Sequence, residues 1–451
     1  MKPRNTQHNA LFPISRVKAP NLFPVLSDPS NPQVVEICAG AGGQALGLEL
    51  AGFHHALAVE LDVNAAATLR HNRPEWNVVV GDVADESVWN PDDYHGIDLL
   101  AGGVPCPPFS IAGHQRGSQD ERDLFAWAVE LAGRIEPRAL LLENVRGLSM
   151  PRFDGYRQHV QERLTELGYW SSWKVLEARN YGVPQLRPRF VLVALKPEYT
   201  PYFTWPEPTP YIGTVGSAIG EMMAAHGWLG AAAWASGANT IAPTIVGGSK
   251  KHGGADLGPT RARRAWAALG VNGAGVADAP PDSTCPLNHQ PKLTTEMIAR
   301  IQGWNSSPEY AWEFTGKKTS RARQIGNAFP PPVARAVGTA IRSALAKVGT
   351  ALPEGGTCLR DQELHHEGHL YHILRDAETP LTEADILLRG AGRITPAHFS
   401  SQLADLGRDF EVHMSDSAKA PAYRLGSFRG FTGQQDHHRH AEFAAARARV
   451  S

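Results

Sequence analysis

A cysteine between prolines and a carboxylate further along the chain carry the strongest chemical signal. Cys106 lies in the run Gly102-Gly103-Val104-Pro105-Cys106-Pro107-Pro108-Phe109-Ser110, and Glu143 opens the run Glu143-Asn144-Val145. Each run follows an apolar stretch that is typical of a buried strand. A thiolate is a strong nucleophile. The pattern therefore predicts addition of a thiolate to a ring such as a pyrimidine, while the carboxylate hydrogen-bonds the far edge of the ring.

A glycine-rich turn and two acidic residues indicate a second ligand. Cys38-Ala39-Gly40-Ala41-Gly42-Gly43 follows the first predicted strand, where glycines let backbone N–H groups approach a ligand closely. Glu60 ends the second strand, where a carboxylate can accept both hydroxyls of a ribose. Asp82 ends the third strand, where an adenine amino group would lie. These positions predict an adenosine-containing cofactor. The spacing of the glycines differs from the G-x-G-x-x-G of dinucleotide enzymes, so a nicotinamide-dependent oxidoreductase is disfavoured.

The elements that must position these residues follow from the hydrophobic pattern. Short apolar runs alternate with helix-length segments, which indicates βαβ units and a mainly parallel sheet covered on both faces. Ligands of such α/β sheets bind at the carboxyl ends of the strands. The strands are predicted at residues 34–38, 56–60, 78–80, 97–101, 139–143 and 190–195.

Composition changes along the chain indicate several domains. The part after residue 196 is rich in Pro, Gly and Ala and reads as a loop-rich insert, and helical periodicity resumes at 294–302 and 332–345. Three helix-like pieces and a hairpin near the end resemble a winged-helix module. The predicted division is an N-terminal extension (1–32), a catalytic domain (33–196), an insert (197–292), a return to the catalytic domain (293–348), a linker (349–366), the winged-helix-like domain (367–428) and a polar tail (429–451).

Charge and cysteine usage narrow the class of protein. The 451 residues carry a formal net charge of -1, so no global positive field indicates nucleic-acid binding. The four cysteines are widely spaced without a CxxC pair, which argues against a disulfide framework and a zinc site. No stretch approaches about 18 consecutive apolar residues. We expect a cytoplasmic protein without a metal ion and without membrane contact.

These segments resemble, in sequence and in linear order, the cytosine-C5 methyltransferase family over residues 34–345. The resemblance implies a Rossmann-like domain that uses S-adenosylmethionine and releases S-adenosylhomocysteine, with the insert as target-recognition domain. Gln324-Ile325-Gly326-Asn327-Ala328-Phe329-Pro330-Pro331 is similar to the motif that returns to the cofactor pocket. Cys38 replaces the family's usual Phe. The cofactor residues implied are Ala39, Gly40, Ala41, Gly42, Gly43, Glu60, Leu61, Asp82, Val83, Pro105, Asn327 and Ala328.

The resemblance also implies the catalytic roles. In the family a thiolate adds to C6 of cytosine, so that C5 can attack the methyl group of the cofactor. Cys106 matches the thiolate, and Glu143 would hydrogen-bond N3 and the exocyclic amine. In Gln185-Leu186-Arg187-Pro188-Arg189, Arg189 matches the residue that contacts the cytosine carbonyl oxygen, while Arg187 would order the loop or reach phosphate. Pro107 stands where many members carry Gln.

Duplex DNA is the partner that the resemblance implies. A base inside a duplex must be turned out of the stack before a thiolate can reach it. Residues 111–125 are similar to the family's active-site loop, and basic residues of the insert could contact phosphates and guanine edges. The expected DNA contacts are Ser110, Gln115, Arg116, Lys250, Lys251, Arg261, Arg263 and Arg264.

Two alternatives share parts of this pattern. A tRNA cytosine-C5 methyltransferase has the same catalytic motifs but a shorter recognition region with a Cys-Phe-Thr segment, which this chain lacks. A non-catalytic DNA-binding regulator would be expected to lose Cys106 or Glu143, and both are present. The family's habit suggests a bacterial modification enzyme paired with a restriction endonuclease that is encoded nearby.

Overall fold

The computed structural model describes residues 31–105, 124–209, 213–247, 255–351, 369–417 and 420–428. Its centre is a seven-stranded sheet with the order β3-β2-β1-β4-β5-β7-β6. The pairs among β1 to β5 are parallel, whereas β7 is antiparallel to β5 and β6. The strands are β1 (Gln33–Ile37), β2 (His54–Glu60), β3 (Val78–Val80), β4 (Leu99–Gly102), β5 (Ala139–Val145), β6 (Trp170–Glu177) and β7 (Pro188–Leu195).

The predicted mainly parallel sheet is confirmed, and one of its strands was missed. β6 reads Trp-Ser-Ser-Trp-Lys-Val-Leu-Glu, and most of its residues are only half-buried because it forms the edge of the sheet. An edge strand needs no continuous apolar run. The prediction from apolar runs therefore found the five inner strands and the short, apolar edge strand β3, but not β6.

Alternate residues of the inner strands pack into two separate apolar cores. Val35 and Leu100 face a core with helices α3 (Leu124–Ile135) and α4 (Asp154–Glu166). Val34 and Leu99 face a second core, which contains α10 (Pro331–Leu345). Because successive side chains of a strand point to opposite faces, this alternation shows that helices cover the sheet on both sides.

The first two helices begin directly at the carboxyl edge of the sheet. Gly42 precedes α1 (Gly43–Leu50) with a φ of +96°, a left-handed conformation that glycine adopts without steric cost. Asp62 caps α2 (Val63–Asn72), since its side chain accepts the backbone N–H groups of Asn64 and Ala65. The chain therefore turns sharply after β1 and β2 and leaves backbone N–H groups at this edge.

After the insert the chain returns through α8 (Thr295–Ile301), α9 (Lys318–Asn327) and α10. These elements confirm the helical signals predicted at 294–302 and 332–345. α10 packs along α1, and a Cβ added at Gly47 would lie 2.4 Å from the Cβ of Ala334. The two helices can approach this closely because residue 47 has no side chain. Across the described segments, we find no helix with the length and apolar character needed to cross a membrane.

The insert contains more helix than its composition suggests. It has α5 (Val215–Ala224), α6 (Ala231–Gly237) and α7 (Thr260–Ala268), joined by long irregular segments. Trp228, Trp234 and Trp266 are buried in an apolar cluster that continues into α8 and α1. The loop-rich character was predicted, but these short helices depend on tryptophan packing that has no regular spacing in the sequence.

Three helices and a small antiparallel sheet form the C-terminal part, which we call the C-terminal module (369–428). The sheet has the strand order β8-β10-β9. The expected three helices and hairpin are confirmed, and β8 is an additional short strand. The elements are α11 (His369–Arg375), β8 (Leu381–Thr382), α12 (Glu383–Arg389), α13 (Pro396–Asp409), β9 (Phe410–Ser417) and β10 (Ala420–Phe428).

The C-terminal module packs against one face of α4. The ring centroid of Phe428 lies 4.2 Å from that of His159, and that of Phe410 lies 5.4 Å from it. The Tyr371 hydroxyl donates to the Glu162 carboxylate at 2.7 Å. Since His159 and Glu162 are three residues apart, they lie on the same side of the helix. The module is therefore attached to the helix that follows the Glu143 strand.

Replacing Phe428 with alanine should loosen this attachment. The ring is half-buried and also lies 5.7 Å from Tyr156, measured between centroids. Loss of a fully buried Phe side chain costs about 3–5 kcal/mol, so we expect about 2 kcal/mol here. Hydrogen exchange should rise in α13 and β10 and stay unchanged in β4 and β5. Leu388→Ala, which truncates a side chain that is 81% exposed, is the control. Equal hydrogen exchange in Phe428→Ala and the control would contradict the attachment of the C-terminal module to α4 through Phe428.

Candidate active site

The predicted site residues lie along the carboxyl edge of the sheet in the order in which the strands pair. Asp82 follows β3, Glu60 ends β2, the glycine turn 38–43 follows β1, Pro105 follows β4, and Glu143 is near the end of β5. Neighbouring strands are about 4.8 Å apart, so these positions extend over about 20 Å. The fold thus brings the residues expected for a cofactor next to the expected catalytic carboxylate.

Glu143 forms a buried ion pair with Arg189 of β7. Glu143 Oε1 lies 2.6 Å from Arg189 Nε, and each side chain is 9% exposed. Burial raises the pKa of Glu143, and the charges of Arg189 and Arg187 oppose the rise. A carboxyl group that takes up a proton readily can donate to a ring nitrogen as well as accept from an amine. The geometry therefore suits the role predicted for Glu143.

Short contacts tie the strand end that leads to Cys106 to the Glu143 strand. Asn144 Nδ2 donates to the Val104 carbonyl at 3.3 Å, and a Cβ added at Gly103 would lie 3.5 Å from Glu143 Oε2. The small residue at 103 keeps the approach to the carboxylate open. Cys106 itself lies outside the described residues, so its role stays a prediction from its place in the sequence.

Arg187 is buried where three segments of the chain meet. Its guanidinium donates to the carbonyl oxygens of Ile245 at 2.8 Å, Gly326 at 2.7 Å and Ala328 at 2.8 Å. Burial, together with the charge of Arg189, lowers the pKa of Arg187 well below its usual range. Since Arg187 is 0% exposed, contact with phosphate is not supported, and of the two roles implied for it these bonds favour ordering of the loop. It is a positioning residue that orders the surrounding loops.

The Glu60 carboxylate is held by the backbone around it. Its Oε2 accepts the Gly40 N–H and its Oε1 accepts the Asp62 N–H, both at 2.7 Å. Burial raises the pKa of Glu60, and these N–H donors oppose the rise. Each carboxylate oxygen has a second lone pair. Glu60 can therefore accept further donors, such as ribose hydroxyls, while it fixes the glycine turn.

The neighbouring strand end offers a carboxylate beside apolar side chains. Asp82 is buried, and its Oδ1 accepts the Ala84 N–H at 3.1 Å. Val83 is buried as well, and its carbonyl accepts the Trp89 indole N–H at 2.8 Å. Leu61 is half-buried after β2. This combination suits an adenine, which has apolar ring faces and an amino group that donates.

The return segment lies directly against the glycine turn. A Cβ added at Gly43 would lie 2.3 Å from the Phe329 carbonyl oxygen and 2.9 Å from the Ala328 Cβ. Asn327 is exposed at the end of α9, and a Cβ added at Gly247 of the insert would lie 2.3 Å from its Oδ1. The structure thus brings Asn327 and Ala328 to the predicted cofactor side, and glycines make these approaches possible.

One residue that holds the glycine turn was not predicted. Trp312 donates its indole N–H to the Ala41 carbonyl at 2.9 Å, and its ring lies where a side chain at Gly42 would otherwise be. Gln302, in the helical segment predicted at 294–302, was given no site role, and it donates to the Ile325 carbonyl at 2.5 Å. Trp312 belongs to no predicted motif. The contacts of both residues can be recognised only once the fold has brought distant segments together.

Three of the expected DNA contacts lie on α7 of the insert. Arg261 and Arg264 are exposed and three residues apart, so they share one face of the helix. Arg263 instead pairs with Asp256 at 2.5 Å and donates to the Gly258 carbonyl at 2.9 Å. We therefore assign Arg263 to holding the loop before α7. The remaining expected contacts lie outside the described residues: Ser110, Gln115, Arg116, Lys250 and Lys251.

The chain is similar to known methyltransferases. The family described as C-5 cytosine-specific DNA methylase matches residues 33–343. Type II methyltransferase M.NaeI of Lentzea aerocolonigenes is 60% identical over 421 residues, 93% of this chain and 99% of that protein. Type II methyltransferase M.NgoMIV of Neisseria gonorrhoeae is 50% identical over 317 residues, 69% of this chain and 98% of that protein. A solved putative DNA modification methyltransferase from an Escherichia coli prophage is 21% identical, with a TM-score of 0.46 over 68% of this chain and 98% of that one.

Arg187→Met should destabilise the whole chain. The substitution removes this donor from the Ile245 and Gly326 carbonyls and one of two donors from Ala328, and a buried unsatisfied polar group costs about 1–3 kcal/mol. We expect the free energy of unfolding, measured in urea, to fall by about 3 kcal/mol. Arg261→Met, on the exposed face of α7, is the control and should change it by less than about 0.5 kcal/mol. Similar losses of unfolding free energy in both variants would refute the proposal that Arg187 holds the three segments together.

Proposed function

Because the chain belongs to the C-5 cytosine-specific DNA methylase family, whose members methylate cytosine in DNA, we propose that Cys106, Glu143 and Arg189 carry out this reaction with S-adenosylmethionine as methyl donor. The observation that carries the assignment is the buried pair of Glu143 and Arg189 beside the strand end that leads to Cys106. The substrate is a cytosine turned out of duplex DNA, which costs a few kcal/mol that DNA contacts elsewhere must offset.

The proposed mechanism starts with the thiolate of Cys106. It adds to C6 of the ring, a carbon–sulfur bond forms, and the electron pair of the C5–C6 double bond becomes available at C5. Glu143 shares a proton with N3, which lets the ring accept the added electron pair, and Arg189 holds Glu143 and faces the cytosine carbonyl oxygen. The bound cofactor would supply an electrophilic methyl group to C5 and would leave as S-adenosylhomocysteine. Loss of the C5 proton and expulsion of the thiolate then restore the ring.

The residues along β1 to β3 fit S-adenosylmethionine. Glu60 would accept the ribose hydroxyls and Asp82 the adenine amino group. The glycine turn would offer backbone N–H groups to the methionine part. The fixed position of the Glu60 carboxylate, which two backbone N–H groups hold, supports this arrangement. Leu61, Val83, Pro105, Asn327 and Ala328 complete the proposed pocket.

We also propose a biological role in a restriction-modification system. Two relatives that are 50% or more identical are named Type II methyltransferases. Methylation of one DNA sequence would protect it from a cognate restriction endonuclease, with no contact between the two proteins required. The cytoplasm, where bacterial DNA is found, is the expected location.

A transfer assay tests the catalytic assignment. The protein is incubated with labelled S-adenosylmethionine and either duplex DNA or tRNA, and 5-methylcytosine is mapped by bisulfite sequencing. Methylation of duplex DNA at one repeated sequence is expected. Cys106→Ser should abolish it, and Glu143→Gln should slow it about 10²- to 10⁴-fold, because an amide cannot give up a proton to N3. Cys285→Ser, at a half-buried cysteine of the insert, is the matched control and should stay active.

The other outcomes point to the alternatives. Transfer to tRNA alone would favour the tRNA enzyme. Binding of DNA without any transfer would favour a regulator. Full activity of Cys106→Ser would exclude the covalent mechanism.

For the C-terminal module we propose an additional contact with DNA beside the target cytosine. Its charge distribution supports this proposal: residues 386–404 contain two arginines and one histidine but no carboxylate. The exposed positions of α13 in this stretch include His398, Ser401 and Gln402, whereas Asp405, in its second half, lies 3.7 Å from Arg152 of the catalytic part. The first half of α13 is thus free to enter a groove, as the second helix of a helix-turn-helix does.

Carboxylates placed on this face should weaken DNA binding. The double variant Ser401→Glu, Gln402→Glu brings negative charge towards phosphates, so we expect the dissociation constant for duplex DNA to rise at least threefold in low salt, and the difference to shrink as salt is added. Ala384→Glu, on the exposed side of α12, is the control and should bind like the unchanged protein. Equal binding by all three proteins would leave partner contact or dimerisation as the use of the module.

A further inference from the structure

Trp312 supports the glycine turn from a distant part of the chain. The indole is 3% exposed, and its N–H donates to the Ala41 carbonyl at 2.9 Å. A Cβ added at Gly42 would lie 2.5 Å from Cζ2 of the ring. The ring therefore packs against the backbone of Gly42 while its N–H fixes the preceding carbonyl. Two consecutive peptide units of the turn depend on one side chain.

The backbone of Trp312 is itself tightly held. Asn305 Oδ1 accepts the Trp312 N–H at 2.8 Å, and Asn305 Nδ2 donates to the Trp312 carbonyl at 3.1 Å. The Asn305 N–H donates to the Tyr310 carbonyl at 2.8 Å. These bonds close the segment from Asn305 to Trp312 on itself. The hydrogen bonds within this loop therefore fix the position of the indole against the glycine turn.

This loop is continuous with the target-recognition insert. Trp304 precedes it, and the ring centroids of Trp304 and Trp312 are 5.7 Å apart. Trp304 follows α8, which packs against α5 of the insert. Trp266 of the insert, Trp304, Trp312 and Leu46 of α1 belong to one buried apolar cluster. A shift of the insert can therefore reach the glycine turn through packed side chains.

A cation on the other side keeps the indole in place. The guanidinium carbon of Arg73 lies 5.2 Å from the centroid of the Trp312 ring, within the range of a cation–π interaction. Arg73 also donates to both carboxylate oxygens of Glu49 on α1. Arg73, which directly follows α2, is thereby linked to α1 and to the indole.

We propose that Trp312 is a positioning residue that sets the glycine turn in the shape that binds the methionine part of S-adenosylmethionine. This inference rests on the proposed function. Within the turn the Gly40 N–H donates to Glu60 and the Gly42 N–H to the Ala39 carbonyl, so the N–H groups of Ala41 and Gly43 are those that would contact the cofactor. These two groups flank the Ala41–Gly42 peptide unit, whose carbonyl Trp312 holds. Releasing that carbonyl loosens the unit and moves the N–H groups beside it, so affinity for the cofactor falls although Trp312 touches no cofactor.

The test compares two tryptophan-to-phenylalanine variants of the full chain. Trp312→Phe keeps an aromatic ring and loses the bond to Ala41. Trp266→Phe removes the same volume from the same cluster, but its indole nitrogen has no hydrogen-bond partner among the described residues. The dissociation constant of S-adenosylhomocysteine, measured by calorimetry, should rise about tenfold in Trp312→Phe and less than about twofold in Trp266→Phe. In activity assays, Trp312→Phe should raise KM for the methyl donor and leave kcat within about twofold.

The outcomes separate this inference from the proposed function. If the unchanged protein binds no S-adenosylhomocysteine, the proposed cofactor is wrong and the inference falls with it. If the unchanged protein binds and Trp312→Phe binds equally well, the proposed cofactor stands and the positioning role is refuted. Equal losses in both phenylalanine variants would show general destabilisation and would also refute it.

A second pair of variants covers the case in which Trp312→Phe does not fold. Arg73→Met removes the cation above the indole, and Glu49→Gln removes the charge of its partner but leaves the guanidinium over the ring. We expect Arg73→Met to weaken S-adenosylhomocysteine binding about threefold and Glu49→Gln to leave it unchanged. Equal affinity of Arg73→Met and the unchanged protein would overturn the inference.

Discussion

The assembly of the site depends on the buried guanidinium of Arg187. It donates to Ile245 of the insert and to Gly326 and Ala328 of the return segment, so three segments that are far apart in sequence share one donor group. No carboxylate among the described residues is hydrogen-bonded to this guanidinium, so its burial is costly, as the lowered pKa of Arg187 indicates. Without Arg187 the carbonyls of Ile245 and Gly326 would lose this donor, whereas Ala328 would keep the bond from Gln302. The guanidinium is stable in this buried place only while the three segments surround it, and the segments stay together only while it bonds them. We call this arrangement the Arg187 junction, and its parts stabilise one another.

Glycines let these segments come close enough for that junction to form. The space that a Cβ would need is occupied by the Phe329 carbonyl at Gly43 and by the Asn327 side chain at Gly247. At Gly42 the Trp312 ring takes this space. The glycine turn is therefore the surface against which the return segment packs, and the insert contacts the return segment at Gly247. A side chain at Gly42 or Gly43 would push the return segment away from the glycine turn, and one at Gly247 would push the insert away from the return segment.

The sequence predicts best what has a period or a motif. The apolar runs predicted the inner strands, and the positions of Glu60, Asp82 and Glu143 predicted which strand ends bring carboxylates to one edge of the sheet. β6 was missed because an edge strand is only half-buried, and the insert helices because their tryptophans follow no regular spacing. The burial of Arg187 could not be predicted either, since the sequence does not reveal which carbonyl groups converge on a side chain. Motifs reveal residues that face a ligand, whereas residues that hold those residues depend on tertiary contacts.

The antiparallel direction of β7 explains how Arg189 reaches Glu143. Parallel strands all end at the carboxyl edge, so each can bring there only residues from its last positions. β7 begins at this edge instead, and its second residue, Arg189, pairs with Val145 near the end of β5. Glu143 and Arg189 are therefore diagonal neighbours on one face of the sheet, within reach of long side chains. Burying such a pair adds little to stability, because the loss of hydration offsets the attraction. In the proposed reaction the value of the pair is chemical, since a carboxyl group held by one arginine and shielded from water would exchange a proton with the substrate ring.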